Sequence, residues 1–366
     1  MKYAFLIHFI ALLCLCSFAQ NDSTKYSFFV AGHAYGKPGV NNSGFHPPFK
    51  DKFNYIQSRT EIKFGVLTGD IVSPFPVAQD WDEIDADIDS LGLPVYFAVG
   101  NHDMENRPLF ESRYDSTYYH FVYENDLFIV LDPNIDGWNI SGNQLDFLKQ
   151  ILASNSENVS NVFVFFHQIL WRESNNEFSY ILWNSSAGRS ESINFWSEVE
   201  PLFNNLNNQV IMFAGDLGAS WASDVSYDKY DNITLISSGM GEENGENFIV
   251  VNVNEDTSIK YDLICLSDTN LNCLGDLTSH QVVSEIINYN QSFLYPNPME
   301  NELTASLTGF DNATLFLYDL QGKLVLEKEL SNQTEQIIMT NAIPKGFYLA
   351  KIIDHQHQLV IKLLKK

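Results

Sequence analysis

Short apolar runs alternate with more polar stretches along the first two thirds of the chain, between residues 26 and 263. Several runs are apolar throughout, which is typical of strands buried on both faces in an α/β protein. We predict eight strands, at residues 26–31, 62–68, 95–99, 127–131, 162–166, 210–214, 233–237 and 248–253.

Two stretches between these runs carry apolar residues at helical spacing. The first spans residues 81–91 and ends at Gly92, two residues before Pro94. The second spans 145–152 and follows Ser141. A polar residue before such a pattern and a glycine after it are the usual start and stop signals of a helix. The strands and helices together predict an α/β domain over residues 20–263.

The pattern changes after residue 263. Residues 264–291 show no long periodicity and are predicted to be a linker. Residues 292–366 contain alternating apolar and polar stretches, for example at 313–318, 323–327 and 346–352. Such alternation predicts half-buried strands. We therefore predict a small all-β sandwich at the C-terminus.

The first nineteen residues have the form of a cleavable export signal. Lys2 precedes an apolar run at residues 5–15, and the small residues Ser17 and Ala19 follow it. Cleavage is predicted after Ala19. A membrane anchor is the alternative, but the run is shorter than the roughly 20 residues that span a bilayer, and no transmembrane segment is predicted.

The four cysteines divide between the two parts of the chain. Cys14 and Cys16 fall in the predicted signal, whereas Cys265 and Cys273 remain in the exported protein. Two cysteines close together in an oxidising compartment predict a local disulfide. Lipid attachment at Cys14 or Cys16 and zinc binding by the later pair are weaker alternatives, because the neighbouring residues do not fit either pattern.

The chain is strongly acidic, with 21 Lys and Arg against 46 Asp and Glu and a formal net charge of -25. Proteins that bind long nucleic acids usually present a basic surface, so we expect no such partner. An acidic surface instead favours solubility or the attraction of divalent cations.

Polar residues cluster directly after five of the predicted strands. The clusters lie at residues 32–36, 69–72, 100–103, at His167 and at 215–218. In α/β sheets, binding sites form beyond the carboxyl ends of the strands, so residues distant in sequence meet there. The sequence therefore predicts one polar site built from all five clusters.

In order and spacing, these clusters resemble the five motifs of the calcineurin-like metallophosphoesterases. Gly-Asp at 69–70 and Gly-Asn-His-Asp at 100–103 carry most of the resemblance, and the Gly-Asn-Gln-Leu-Asp-Phe-Leu segment at 142–148 adds to it. The resemblance covers roughly residues 26–255. It implies a four-layer αββα sandwich, one or two bound divalent metal ions, and hydrolysis of a phosphoester.

The resemblance also implies a set of metal ligands. A carboxylate at Asp70 would bridge two metals, Asn101 would supply a carbonyl oxygen, and His167 an imidazole nitrogen. Asp216 stands where the family has a histidine, and His33 is the histidine of the first motif. His33 as an ordinary loop histidine and Asp216 as a cap of a turn are the alternatives that stay open.

Two further residues have implied catalytic roles, and two positions depart from the family. His102 would contact the substrate and protonate the leaving oxygen, and Asp103 would orient His102 or its loop. Ala31 replaces the aspartate of the first motif, and Gly218 replaces the last histidine. The first metal site thus keeps two of its four ligands, whereas the second has a donor at each position.

We therefore expect one firmly held metal and a second that is weak, absent or held by another group. The added carboxylate at Asp216 favours Mn, Mg, Ca or Fe over Zn. His46, Glu242 and Glu243 lie in loops that could reach the site.

The C-terminal region resembles the sorting domain of the Bacteroidetes type IX secretion system. The resemblance rests on Tyr-Pro-Asn-Pro at 295–298, the hairpin at 317–323, the segment at 344–348 and the basic end. It implies recognition by the secretion machinery and a protein that is secreted or attached to the cell surface. A stabilising or carbohydrate-binding β domain is the alternative.

The function implied by both resemblances is a secreted or cell-surface metallophosphoesterase with a partly degenerate dimetal site. Gly-Asn-His-Asp at 100–103 favours this enzyme. Ala31 and Gly218 favour the alternative, a surface-displayed binding module that retains one metal. A calcium-dependent adhesin would use the acidic surface and ranks third.

Overall fold

The computed structural model describes residues 23–219, 222–241, 245–267, 269–281, 293–306, 313–319, 323–330, 335–353 and 358–366. The chain divides into two compact units, with the division between His280 and Gln281. The predicted signal peptide at residues 1–19 lies outside the described residues. Among the described residues, no helix has the length and apolar character needed to cross a membrane.

The first unit contains two mixed β-sheets. Its strands are β1 (Thr24–Ala31), β2 (Ile62–Thr68), β3 (Val95–Ala98), β4 (Tyr119–Tyr123), β5 (Asp126–Val130), β6 (Asn161–Phe165), β7 (Gln209–Leu217), β8 (Val225–Tyr230), β9 (Ile233–Gly239), β10 (Asn247–Asn254) and β11 (Ile259–Cys265). One sheet has the order β11-β10-β1-β2-β3 and the other β4-β5-β6-β7-β9-β8. Neighbours run parallel from β1 to β3 and from β5 through β6 and β7 to β9.

Among the described residues of the first unit, six α-helices cover the outer faces of the two sheets. They are α1 (Pro47–Lys50), α2 (Phe53–Ser58), α3 (Ala78–Leu91), α4 (Arg107–Tyr114), α5 (Gly142–Asn155) and α6 (Glu200–Asn204). One apolar cluster joins α1 to α4 to the first sheet, a second joins α5 and α6 to the other sheet, and a third fills the space between the sheets. These layers confirm the predicted αββα sandwich.

The eight predicted strands are present, and the sequence prediction missed three more. The missed strands, β4, β8 and β11, each form an edge of a sheet. An edge strand is partly exposed, so polar residues interrupt its apolar run, as the exposed Lys229 does in β8. The two predicted helices correspond to α3 and α5.

The first unit extends into the region predicted as a linker. β11 pairs with β10 as far as Cys265, and the chain then turns through a short 3-10 helix at Leu277–His280. A disulfide joins Cys265 to Cys273, as the cysteine spacing predicted. Residues 264–280 are therefore part of the first unit, because strand pairing and the disulfide hold them to it. The rest of the predicted linker, except residue 281, lies outside the described residues.

The second unit consists of β-strands packed around a small apolar core. Its strands are β12 (Phe293–Tyr295), β13 (Glu302–Ser306), β14 (Thr314–Asp319), β15 (Leu324–Glu329), β16 (Glu335–Met339), β17 (Gly346–Ile353) and β18 (Gln358–Lys365). They form a sheet of order β12-β13-β16 and another of order β15-β14-β17-β18. Buried residues of both sheets share one cluster, which confirms the predicted small β domain.

Candidate functional site

The polar clusters meet because the carboxyl ends of parallel strands from both sheets converge. The backbones approach closely at Gly215 in β7, where an added Cβ would lie 1.9 Å from the carbonyl oxygen of Thr68 at the end of β2. Only glycine allows this approach. The residues that follow β1, β2, β3 and β6 therefore lie beside the end of β7.

Three side chains at this junction can share one metal ion. Asp70, His167 and Asp216 each offer a ligand atom within 4.8 Å of the other two, and all three are buried. His167 Nε2 lies 3.4 Å from Asp70 Oδ1 and 3.7 Å from Asp216 Oδ1. Two carboxylates and an imidazole form a donor set suited to a divalent cation.

The atoms that face this cluster lack other partners. His167 Nε2 and both oxygens of Asp216 are buried without a hydrogen bond of normal geometry, as is His102 Nδ1. Burying such groups unpaired is costly, and a bound cation would satisfy several of them at once. His167 Nδ1 donates a hydrogen bond to the Thr68 carbonyl oxygen at 2.8 Å, which leaves Nε2 free to bind a metal. These residues therefore fit a divalent metal.

His33 shows the same orientation on the other side of Asp70. Its Nδ1 donates to the Met240 carbonyl oxygen at 2.8 Å, and its Nε2 lies 3.8 Å from Asp70 Oδ2. His33 thus has the hydrogen bond that is expected for an ordinary loop histidine. It also has the orientation that is expected for a metal ligand. Its left-handed backbone, with φ of 56°, directs the side chain back toward the site.

His102 lies next to Asp70, and Asp103 supports the loops around it. The backbone N–H of His102 donates to Asp70 Oδ1 at 3.1 Å, and its Nδ1 lies 3.5 Å from Asp70 Oδ2. The buried Asp103 carboxylate accepts hydrogen bonds from the backbone amides of Ile71, Val72 and Gly100. Asp103 therefore ties the loop after β2 to the loop after β3. Asn101, which lies between Gly100 and His102 in the sequence, is half-buried.

Tyr35 lies at the candidate site, and the sequence analysis placed it in the cluster at 32–36 without giving it a role. It is buried, with its ring 4.4 Å from the His33 ring and 5.3 Å from the His102 ring. Burial and the charges on Asp70 and Asp216 raise the pKa of its hydroxyl. Its position two residues after His33 was the only sequence signal.

The charges of the cluster shift the pKa values of its members. Burial alone would lower the pKa of His167, but the carboxylates of Asp70 and Asp216 outweigh it and raise that pKa to about 10. Burial raises the pKa of Asp216 to about 8, against the opposing charge of His167. Burial lowers the pKa of His33 to about 4, although Asp70 opposes the shift.

Metal binding is expected to release protons. A metal needs Asp216 ionised and His167 neutral, and both groups hold a proton below their raised pKa values. Affinity should therefore rise with pH through about 8, where Asp216 ionises, and further toward about 10, where His167 loses its proton. Calorimetry with Mn²⁺ in buffers of different ionisation enthalpy measures the protons released. A proton count of zero at neutral pH would contradict the prediction.

The two positions that depart from the family pattern, Ala31 and Gly218, lie in closely packed surroundings. Ala31 is fully buried in the apolar cluster beside the helices. Gly218 has a φ of 97°, and an added Cβ would lie 2.4 Å from the backbone nitrogen of Met240. Any side chain at position 218 would meet this backbone, so a histidine does not fit there.

Of the loop residues considered as further ligands, only His46 is among the described residues. His46 Nε2 hydrogen-bonds Glu246 Oε1 at 2.8 Å, so this nitrogen is engaged in a buried pair. Glu242 and Glu243 lie outside the described residues. Asp216 is part of β7, and its side-chain oxygens form no capping bond of normal geometry.

The fold and the cluster define an αββα protein with a candidate metal centre. Residues 33–215 match the family model of the calcineurin-like phosphoesterases, so the chain belongs to that family. Members of the family use divalent metals and hydrolyse phosphoesters. A comparison with curated protein sequences gives no match.

Two solved structures resemble the chain at low identity. A Staphylococcus aureus protein, provisionally named a 5'-nucleotidase and solved with alpha-ketoglutarate, aligns at 12% identity and a TM-score of 0.43. The alignment covers 66% of this chain and 54% of that one. A Thermus thermophilus protein, TT1561, aligns at 8% identity and a TM-score of 0.34, covering 65% of this chain and 98% of that one. Neither likeness bears on the substrate.

The C-terminal region has its own match. Residues 293–366 match the model of the secretion system C-terminal sorting domain. This match confirms the predicted sorting domain of the Bacteroidetes type and implies an interaction with the secretion machinery. The protein is therefore exported, and it is secreted or attached to the cell surface.

Proposed function

We propose that the protein is a metal-dependent phosphoester hydrolase that works with one firmly held divalent metal. The buried cluster of Asp70, His167 and Asp216, with its unpaired donor atoms beside His102, carries this proposal. Asn101 would complete the ligand set. When bound, the metal supplies charge that polarises the phosphoryl oxygens and lowers the pKa of a bound water.

His102 is the residue that would handle the proton of the leaving group. Its Nδ1 faces Asp70 at 3.5 Å, so Nε2 is the nitrogen available to the substrate. A proton held at Nε2 can pass to the leaving oxygen. Asp103 holds the loops that carry both residues and so fixes their distance.

A second metal would have a weaker site. Among the described residues, His33 and Asp70 lie where they would hold this second metal. Ala31 and Gly218 contribute no ligand to it. Its occupancy would then depend on the metal concentration. The carboxylate at Asp216 favours Mn, Mg, Ca or Fe at the first position.

Metal content and turnover test the proposal together. Elemental analysis of the purified protein should find at least one divalent metal per chain. Aryl phosphate monoesters and diesters should be hydrolysed when Mn, Mg, Fe or Zn is added. Bound metal without turnover of any ester would instead support the alternative function, a surface-displayed binding module that retains one metal. The absence of ligands at Ala31 and Gly218 favours that alternative. A purified protein that binds no metal would overturn both the proposed hydrolase and the metal-binding module.

Replacing His102 by Ala is expected to lower kcat by about 10²- to 10⁴-fold while the metal stays bound. The physical reason is the loss of proton transfer without the loss of a metal ligand. The matched control is His120→Ala, because His120 is exposed on β4. Steady-state kinetics and elemental analysis measure both variants. Equal kcat in the two variants would remove His102 from the mechanism.

A further inference from the structure

A polar cleft lies on the loop that follows His167. It has a volume of about 320 Å³, and two arginines line it. These are Arg172 and Arg189, and the lining also includes Trp183, Glu173 and Glu191. The two glutamates offset the summed charge of the arginines, so the cleft is distinguished by its guanidinium donors and not by a net positive charge.

The cleft is attached to the end of β7, close to the metal cluster. The backbone N–H of Asn184 donates to the Asp216 carbonyl oxygen at 2.9 Å, and Asn184 Nδ2 donates to the Leu217 carbonyl oxygen at 2.8 Å. Trp183 is the neighbour of Asn184, and adjacent Cα atoms are about 3.8 Å apart. The wall of the cleft therefore begins one residue from the backbone that carries Asp216.

Among the described residues Arg172 forms no ion pair, although the charge of the nearby Glu173 acts on it. Its guanidinium lies 4.0 Å from the centre of the Trp183 ring and donates hydrogen bonds to the backbone oxygens of Ile181 and Ser179. Burial and the charge of Arg189 lower the pKa of Arg172. Stacking on an aromatic ring fixes the direction of the guanidinium, and its hydrogen-bond acceptors are neutral carbonyl oxygens.

Arg189 also has an unused donor. Its Nη2 pairs with Glu173 Oε1 at 2.6 Å, but its Nε is buried without a hydrogen bond. The guanidinium lies 5.8 Å from the centre of the Trp138 ring, and the Trp138 and Trp183 rings meet edge to face. Arg172 donates only to neutral carbonyl oxygens and Arg189 Nε has no hydrogen bond, so both guanidinium groups can donate to an anionic group in the cleft.

We propose that this cleft is a substrate subsite that binds an anionic group, a carboxylate or a phosphate, on the part of the phosphoester that does not react. The proposal rests on the proposed function for its link to catalysis. It narrows the substrate class to phosphoesters with a second anionic group at some distance from the reacting phosphorus. Oxygens of such a group would accept hydrogen bonds from Arg172 and Arg189 Nε.

Binding of inorganic phosphate to chelator-treated protein tests the cleft without the metal. Under these conditions Asp70 and Asp216 repel the anion, so phosphate binding reports on the arginines. Tryptophan fluorescence should follow binding, because Trp138 and Trp183 lie at the cleft. Arg172→Gln and Arg189→Gln should each weaken binding by about tenfold or more. Arg172→Lys, which keeps the charge, should retain more affinity than Arg172→Gln.

Arg113→Gln is the matched control, because Arg113 pairs with Asp82 and Asp85 elsewhere in the domain. This variant should bind phosphate like the unmodified protein. Circular dichroism confirms that each variant is folded. Equal phosphate affinity of Arg172→Gln and Arg113→Gln would overturn the subsite. A complete lack of phosphate binding by the unmodified protein would also overturn it.

Kinetics connects the cleft with the substrate. The substrates are phosphate monoesters of ω-hydroxy acids of increasing chain length, each compared with its neutral amide, and released phosphate is measured. One chain length should show an advantage of the acid over the amide in kcat/KM, and Arg172→Gln should abolish it. Absence of any such advantage in an active enzyme would overturn the subsite. Phosphate binding without hydrolysis of any ester would overturn the proposed function and leave the cleft as an anion site.

Discussion

Replacement of Asp70 by Asn is expected to weaken metal binding by more than about a hundredfold and to abolish hydrolysis of phosphoesters. The Asp70 carboxylate lies within 4 Å of ring nitrogens of His33, His102 and His167. An amide offers one neutral oxygen in place of two charged ones, so it cannot balance a cation in this position. Elemental analysis and an assay with an aryl phosphate measure the two losses.

The control for this variant is another buried carboxylate in the same domain. Asp228 is buried, and it accepts a hydrogen bond from the Tyr180 hydroxyl at 2.6 Å. Asp228→Asn should lose some stability but keep its metal and its activity. If Asp70→Asn retained turnover with metal still bound, Asp70 would not be a ligand and the proposed centre would lie elsewhere.

The buried centre of the fold could be predicted from the sequence because its strands are apolar on both faces. β6 and β10, for example, are buried along their whole length. The edge strands β4, β8 and β11 could not be predicted in this way. Their exposed residues carry no apolar signal, and their pairing depends on partners that the fold supplies.

The sequence analysis ended the first domain at residue 263 for a related reason. β11 is only partly buried over its first residues, so its sequence resembles a connecting segment. Its pairing with β10 and the bond between Cys265 and Cys273 keep residues 264–280 in the first unit. The pairing of two strands depends on the whole fold, so the sequence of one edge strand gives only a weak signal of it.

The strand ends that build the site could be predicted, but their mutual contacts could not. Motif order indicated that the segments at 69–72 and 100–103 would meet. The hydrogen bond from His33 to the Met240 carbonyl oxygen joins residues 207 positions apart, and no sequence pattern indicates it. The placement of Tyr35 between two histidine rings likewise depends on the turn after β1.

Position 218 is expected to reject every side chain. Gly218→Ala should lower the free energy of unfolding by about 3 kcal/mol, because alanine strains a backbone with positive φ and its Cβ overlaps the backbone at 239–240. The same displacement would move the Met240 carbonyl oxygen that orients His33. Urea unfolding measures the first effect. Metal titration measures the effect on His33, which should appear as a lower affinity for the second metal ion.

Gly92→Ala separates the two causes, because Gly92 also has a positive φ, of 69°, but an added Cβ would meet no atom within 4 Å. This control should cost only about 1 kcal/mol, which is the backbone contribution alone. Gly218→His should be at least as unstable as Gly218→Ala and should not restore a second metal. Equal stability of the two alanine variants would mean that position 218 has room for a side chain. The missing histidine would then be a single reversible substitution and not a consequence of the way β7 packs against the end of β9.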